Sequence, residues 1–326
     1  MRHASHRFNP FVPAVLGLLL VSPLLQGGPV HEETVISLRH TILAAINEDR
    51  ALHGLAPVQL DPHASEIADQ FCARQIRERT RGHFVTDGQP PYMRYSQSGG
   101  NDGLSQNAAA WSANYVFSEA SLAALVRESQ REMMAEVAPN DGHRRTILDP
   151  WATHVGIGVA WEGGELRLSQ EFIRRYLEWK RPLARSTSVD KRPLAMGKPR
   201  DGYRVHSISV HFEKQPQTMS TTLVNRLDTY ALPNRRRDYR PRLDAPVTNG
   251  PKRDMRASSR IYADGSRGDF TIDRDGAFSF AIPLDEGPGL YTVVVWVQPE
   301  GRDEIISASN VSIQASAPGT RATRAK

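Results

Sequence analysis

The hydrophobic period changes once along this chain, and that change constrains the fold more than any other feature. Before about residue 180 the apolar residues recur mainly at helical spacing; beyond about residue 203 they alternate. Val35, Ile36, Leu38, Ile42, Leu43, Ile46 and Leu52 share one helical stripe that Gly54 stops. Asp61-Pro62 opens a second helix with a capping acid and a proline at the first position, and Ile67, Ala68, Phe71, Cys72 and Ile76 share its inner face. A third helix is expected from Glu119 to Val137. The alternating runs His154 to Ala160 and Leu166 to Phe172, joined by a glycine turn, predict a hairpin. Helices flanking strands imply a layered α/β domain over residues 33–180.

In the second half, His206, Ile208, Val210 and Phe212 alternate, as do Phe278, Phe280 and Ile282, then Tyr291, Val293, Val295 and Val297. These runs predict an all-β sandwich over residues 203–315, immunoglobulin-like or fibronectin-like. Residues 181–202, basic and prolyl, read as a linker, and residues 316–326 as a disordered tail. At the other end, Arg2 and Arg7 precede a short apolar run from Phe11 to Leu25 and then Gly27-Gly28, the layout of a signal peptide over residues 1–28. Its removal leaves no transmembrane anchor, so a secreted, extracellular or periplasmic location is expected.

Charge and cysteine content narrow the function classes. A net charge of +5 over 326 residues, without aromatic interleaving, gives no reason to expect nucleic acid as a partner. Cys72, the one cysteine, closes no intrachain disulfide and reads as a small buried hydrophobe. The densest basic run, Arg235 to Arg237 with Arg240 and Arg242, is a solvated loop or a surface for an anionic envelope polymer or lipid.

The common catalytic signatures are missing. There is no Gly-x-Ser-x-Gly elbow and no phosphate-binding Gly-x-x-x-x-Gly-Lys loop. Asp273-Arg-Asp275-Gly276 starts like a calcium loop but has Ile282 where the bidentate acid belongs, so it reads as a tight turn. What remains is His83, in a Gly- and Pro-rich loop from Thr80 to Gly103, and His143, just after the third helix, with Glu136 seven residues before it. Two imidazoles and a carboxylate suit a divalent cation such as zinc, if the fold brings them together. Tyr92, Arg94 and Tyr95 in the long loop are candidates for the rim of such a site.

The order Ile46-Asn-Glu-Asp-Arg50, Gly82-His83, Gln106-Asn107, Asp141-Gly-His143-Arg-Arg-Thr-Ile-Leu148, His154-Val-Gly-Ile-Gly158 and Gln170-Glu-Phe172 resembles the bacterial branch of the CAP superfamily. That superfamily takes in cysteine-rich secretory, antigen 5 and pathogenesis-related 1 proteins. The resemblance spans roughly residues 33–176 and implies an α/β/α sandwich with a central cleft of two histidines and two glutamates. By that resemblance the cleft residues are His83, Gln106, Glu136 and His143, with Asn107 beside them on the rim and His83, Glu136 and His143 as the metal-ligand set. Gln106 stands where the family carries an acid. The lost charge should weaken any zinc site. These features favour an exported protein whose cleft binds a small-molecule, lipid or anionic envelope ligand or, weakly, a divalent cation such as zinc. The alternatives are a metal-assisted hydrolase using His143 and Glu136, and a purely structural or adhesive envelope protein.

Overall fold

The computed structural model describes residues 29–243 and 261–319. The signal segment 1–28 and the tail from residue 320 lie outside them. The first domain runs through α1 (Pro29–Leu52), β1 (Gln59–Leu60), α2 (Pro62–Glu78), α3 (Pro91–Gln97), β2 (Gly103–Ser112), α4 (Glu119–Ala135), α5 (Gly142–Ile147), β3 (His154–Glu162) and β4 (Glu165–Arg174). Its four strands form one sheet in the order β1-β3-β4-β2.

The pleat assigns each face of that sheet to its own helices. Val155, Ile157 and Val159 of β3, with Leu166, Leu168 and Phe172 of β4, pack on Leu38, Ile42 and Ile46 of α1 and on Leu122, Val126 and Met133 of α4. On the opposite face Gly156 and Gly158 let α2 approach the strand backbone, where a β-carbon on Gly158 would lie 2.2 Å from Ala68 C. Helix α2 starts as expected, with Ala64 N–H donating to Asp61 Oδ1 and Pro62 in the first turn. The result is the α/β/α sandwich. Cys72 is buried beneath it beside Phe71 and Val85, and burial pushes its thiol pKa up.

The second domain comprises β5 (Leu177–Arg181), β6 (Ser186–Ser188), β7 (Leu194–Pro199), β8 (Tyr203–Glu213), α6 (Thr221–Val224), β9 (Arg236–Tyr239), β10 (Thr271–Ile272), β11 (Phe278–Ala281), β12 (Gly289–Pro299) and β13 (Ile306–Ser316). Sheets ordered β10-β11-β7-β5 and β6-β13-β12-β8-β9 make a β-sandwich. The expected linker is therefore corrected. Strand β7 lies inside a sheet, paired with β11 on one side and β5 on the other, and Leu177, Leu183 and Ala195 are buried in the sandwich core. Basic and prolyl residues there decorate short strands whose apolar positions are too few to show a period.

Two smaller readings also resolve. Asp273 to Gly276 is the turn between β10 and β11, with Asp273 Oδ1 accepting from Asp275 N–H and Ala277 N–H. In the basic run, Arg235 and Arg237 pair with Glu286, Arg236 with Asp238 and Arg240 with Asp264. Four of the five arginines of that run thus each have a carboxylate neighbour.

The domains also meet face to face. The sheet edge at β2 is covered by the outer face of the β8-β12-β13 sheet and by the loop between α6 and β9: Asn310 Nδ2 donates to Leu104 O, and Gln106 N–H donates to Tyr230 Oη at 2.6 Å. Tyr92 and Met93 of α3 share an apolar cluster with Leu290, Tyr230 and Leu232. Edge groups that would otherwise be open to pairing are thus satisfied from the second domain.

Candidate functional site

A cleft of about 1030 Å³ lies along β2 between the two domains, and His83, Gln106, Asn107, Glu136 and His143 all line it. The imidazole centroids of His83 and His143 are 6.3 Å apart although 60 positions separate them in the chain. Tyr92 lines the cleft too, with its hydroxyl donating to Glu213. Arg94 and Tyr95 do not. Arg94 lies behind His83, donates to His83 O and Gln89 O, and stacks over Phe71. Tyr95 packs with Ala64, Ile67, Leu104 and Ile173 and donates to Asp102. Their loop holds the short helix α3, which turns both side chains inward.

His143, His83 and Asn107 are each oriented through hydrogen bonds that lead back to a carboxylate, Glu136, Glu171 and Asp49 respectively. Helix α4 ends at Ala135, so Glu136 leaves the helical path. Its Oε2 accepts from His143 N–H at the start of α5, and its Oε1 accepts from His143 Nδ1 at 2.5 Å. That contact places a proton on His143 Nδ1, so the tautomer it selects is the one that offers Nε2 as an acceptor.

On the other face of the sheet the anchor is Glu171, directly opposite Gln106 in the β2–β4 ladder. Gln106 Nε2 donates to Glu171 Oε1 at 2.7 Å and to Ser169 Oγ at 3.0 Å, which turns Gln106 Oε1 toward His83 Nδ1 at 2.9 Å. Only a donating Nδ1 satisfies that contact, so His83 also offers Nε2. Burial pulls the His83 pKa down to about 4, against the Gln106 hydrogen bond and with help from the neighbouring His143 imidazole and the Arg94 guanidinium. Burial pushes the Glu171 pKa up, opposed by the guanidinium of Arg94.

A third chain starts at Asp49. Gln130 Nε2 donates to Asp49 Oδ2, Gln170 Nε2 to Gln130 Oε1, and Asn107 Nδ2 to both Gln170 Oε1 and His143 O. The carboxylate sets the direction of every amide in the series.

The metal set fares differently from the cleft. Both oxygens of Glu136 are engaged inside the protein, and among the described residues no three His, Cys, Asp or Glu side chains group so as to hold an ion. The expected three-ligand centre of His83, Glu136 and His143 is corrected on that ground: Glu136 orients His143 and is not turned toward His83. Any cation here would receive two imidazole nitrogens from that set.

Residues 43–172, which carry all of this except the second-domain wall, match the family described as "CAP: Cysteine-rich secretory protein family". This segment is a CAP domain. Among solved structures, the chain is similar to an extracellular protein containing a SCP domain from Bacillus anthracis, at 18% identity and TM-score 0.31, over 44% of this chain and 41% of that one. It is also similar to a cysteine-rich secretory protein from Staphylococcus aureus, at 18% identity and TM-score 0.28, over 47% and 41%. The chain thus covers only about two-fifths of either structure, 41% in each case. No curated protein matches it. No helix among the described residues is long and apolar enough to cross a membrane.

Sequence reasoning on the CAP domain missed three functional neighbours. Glu171 was visible only as part of the Gln170-Glu-Phe172 motif; its position opposite Gln106 needs the strand register. Tyr230, whose ring meets His83 edge-on at 4.8 Å, and Trp296, which lines the cleft, come from the second domain. No local signal ties either to the cleft.

Proposed function

We propose that this protein is an exported binding protein whose ligand lies in the cleft between the CAP domain and the β-sandwich, against His83 and His143. The observation that carries this reading is that both imidazoles are held in one tautomer by anchored partners while, among the described residues, neither Nε2 meets a protein donor. Side chains fixed in this way cost conformational freedom before any ligand arrives, so binding loses less entropy. The paired basic run makes the cleft a better candidate than an anionic-polymer surface.

Saturation-transfer NMR with a library of small polar compounds tests the reading. Hits should weaken in His143→Ala and in Tyr230→Ala; a library in which no hit responds to either change would overturn it. One feature supports a hydrolytic second reading: a carboxylate hydrogen-bonded to Nδ1 of His143 is the arrangement of a general base. Under that reading a hit would be consumed by the wild-type protein and left intact by His143→Ala.

A further inference from the structure

The three anchored chains end at the cleft in the same way. Each places a carboxylate at its inner end and an acceptor at its outer end: His143 Nε2 from Glu136, His83 Nε2 from Glu171, and Asn107 Oδ1 from Asp49. A fourth acceptor comes from the other domain, where Asn310 commits Nδ2 to Leu104 O and leaves Oδ1 over. Asn107 is 1% exposed and Asn310 5%, both line the cleft, and Oδ1 of each is buried with no hydrogen-bond partner among the described residues. A buried amide oxygen without a donor costs roughly 1–3 kcal/mol, and a ligand that brings donors recovers this. The walls are chemically different. Trp151 and Trp296 line the cleft, and the ring N–H of Trp296 is already satisfied by Ser209 Oγ, so its remaining surface is apolar. A bulge on each flanking strand, where β13 carries the extra residue Ala308 and β8 the extra residue His206, bends the sheet at Trp296.

We propose that this cleft binds a neutral, polyhydroxylated sugar chain, with ring faces on Trp296 and Trp151 and hydroxyl groups donating to Asn107 Oδ1, Asn310 Oδ1 and the two imidazole Nε2 atoms. The proposal rests on the cleft being a binding site, as argued above, and adds the chemistry of its ligand. Four acceptors without donors among the described residues call for a ligand rich in hydroxyl groups. The charged groups that line the cleft, Arg145 and Arg174 with Glu136, Asp149 and Asp228, largely pair within the protein, Arg174 with Asp149, Arg145 with Asp141 and Glu136 with His143, so the spermidine probe below separates hydroxyl donors from a cation. A ring with an apolar face and equatorial donors matches both the wall and the floor. The volume, about 1030 Å³, is at the upper end of small-molecule sites, which run to roughly 1,000 Å³, and suits a chain of several rings. The ligand would touch both domains at once.

The test uses the whole protein and four defined probes: cellotetraose, chitotetraose, permethylated cellotetraose and spermidine, each titrated by calorimetry and ligand-observed NMR. At least one free tetraose should bind, and Trp296→Ala and Asn310→Ala should each weaken it about tenfold. Permethylation keeps the rings and removes every hydroxyl donor, so the permethylated probe should not bind. This comparison needs only the wild-type protein and stands even if a variant fails to fold. Binding that survives permethylation, or that requires added zinc and vanishes with a chelator, would overturn the proposal. So would binding of spermidine without either tetraose, which would sink the sugar while leaving the cleft as a binding site. If neither tetraose nor spermidine binds, the proposal also falls; the fragment experiment above then decides whether the cleft itself survives as a site.

Discussion

Gln106 is the residue at which the cleft departs from a two-glutamate arrangement, and its surroundings show what the amide does. It donates to a carboxylate on one side and accepts from an imidazole on the other, a pair of tasks that a carboxylate cannot combine. Gln106→Glu would set two carboxylates at the 2.7 Å spacing now held by a hydrogen bond, so one of them must keep a proton. Its folded-state pKa is then raised above the unfolded value. The variant should nearly match the wild type below the carboxylate range and fall behind by about 1–3 kcal/mol as pH rises toward 7. Urea midpoints at pH 4 and pH 7 measure this; an equal deficit at both values would refute it. His83 carries the opposite sign. Its folded-state pKa of about 4 lies below the ordinary 6.5, so its contribution is present above pH 6.5 and is lost as pH falls toward 4. That contribution is at most about 3 kcal/mol. The His83 ring should titrate near 4 by NMR, and a midpoint near 6.5 would contradict the burial argument. The identities of His83, Glu136 and His143 were legible because rare residue types recur in a known order. Their roles were not: that Glu136 faces His143 and Glu171 faces Gln106 depends on a helix end and a strand register, each of which a shift of one residue would reverse.

The elements that were legible are those long enough to repeat a pattern. Helices α1, α2 and α4 and the β3–β4 hairpin each show several turns or alternations, and their ends agree with expectation to within a few residues except at the start of α1, which begins at Pro29. Helices α3 and α5, of seven and six residues, are too short to show a period, and β2 reads Ala108-Ala-Ala110 where an alternation would be needed. Yet these three carry the cleft. Their placement follows from the longer elements, above all from the close contact of α2 with β3. Gly158→Ala would drive a β-carbon to 2.2 Å from Ala68 C, which is helix backbone and cannot rotate away. Helix α2 must lift, at about 1–3 kcal/mol. Because α2 leads into the turn where Gln75 Nε2 donates to Gly82 O, the His83 ring should move with it. A lower urea midpoint together with a shifted His83 ring resonance is expected. Unchanged stability would mean that the sheet and helix are less tightly apposed.

At the scale of the molecule, the change of hydrophobic period marked two architectures but said nothing about whether they are independent. Period reports which face of an element is buried, and the outer face of the β8-β12-β13 sheet, with Leu290, Asn310 and Ser312 on it, is buried by another domain that no local pattern announces. Ser312 N–H donates to Ser96 Oγ, and Gly103, at the start of the edge strand β2, sits so close to β13 that a β-carbon there would lie 2.2 Å from Ser307 O. Backbones this close, together with the apolar cluster of Tyr92 and Met93 against Leu290, make the contact a closely packed one, unlike the loose boundaries typical of tethered domains. The protein should therefore unfold in a single calorimetric transition. Gly103→Ala needs no unusual backbone angle, so its whole effect acts through the domain contact: β2 and β13 must separate, at about 1–3 kcal/mol, which at this size lowers the transition by several degrees. Both halves should shift together, read separately through Trp111 in the CAP domain and Trp296 in the sandwich by replacing the other tryptophans with phenylalanine. Two resolved transitions in the parent, with the CAP half indifferent to Gly103→Ala, would show that the domains fold alone. The cleft between them would then be a contact that opens freely, and a ligand spanning both walls would have to close it.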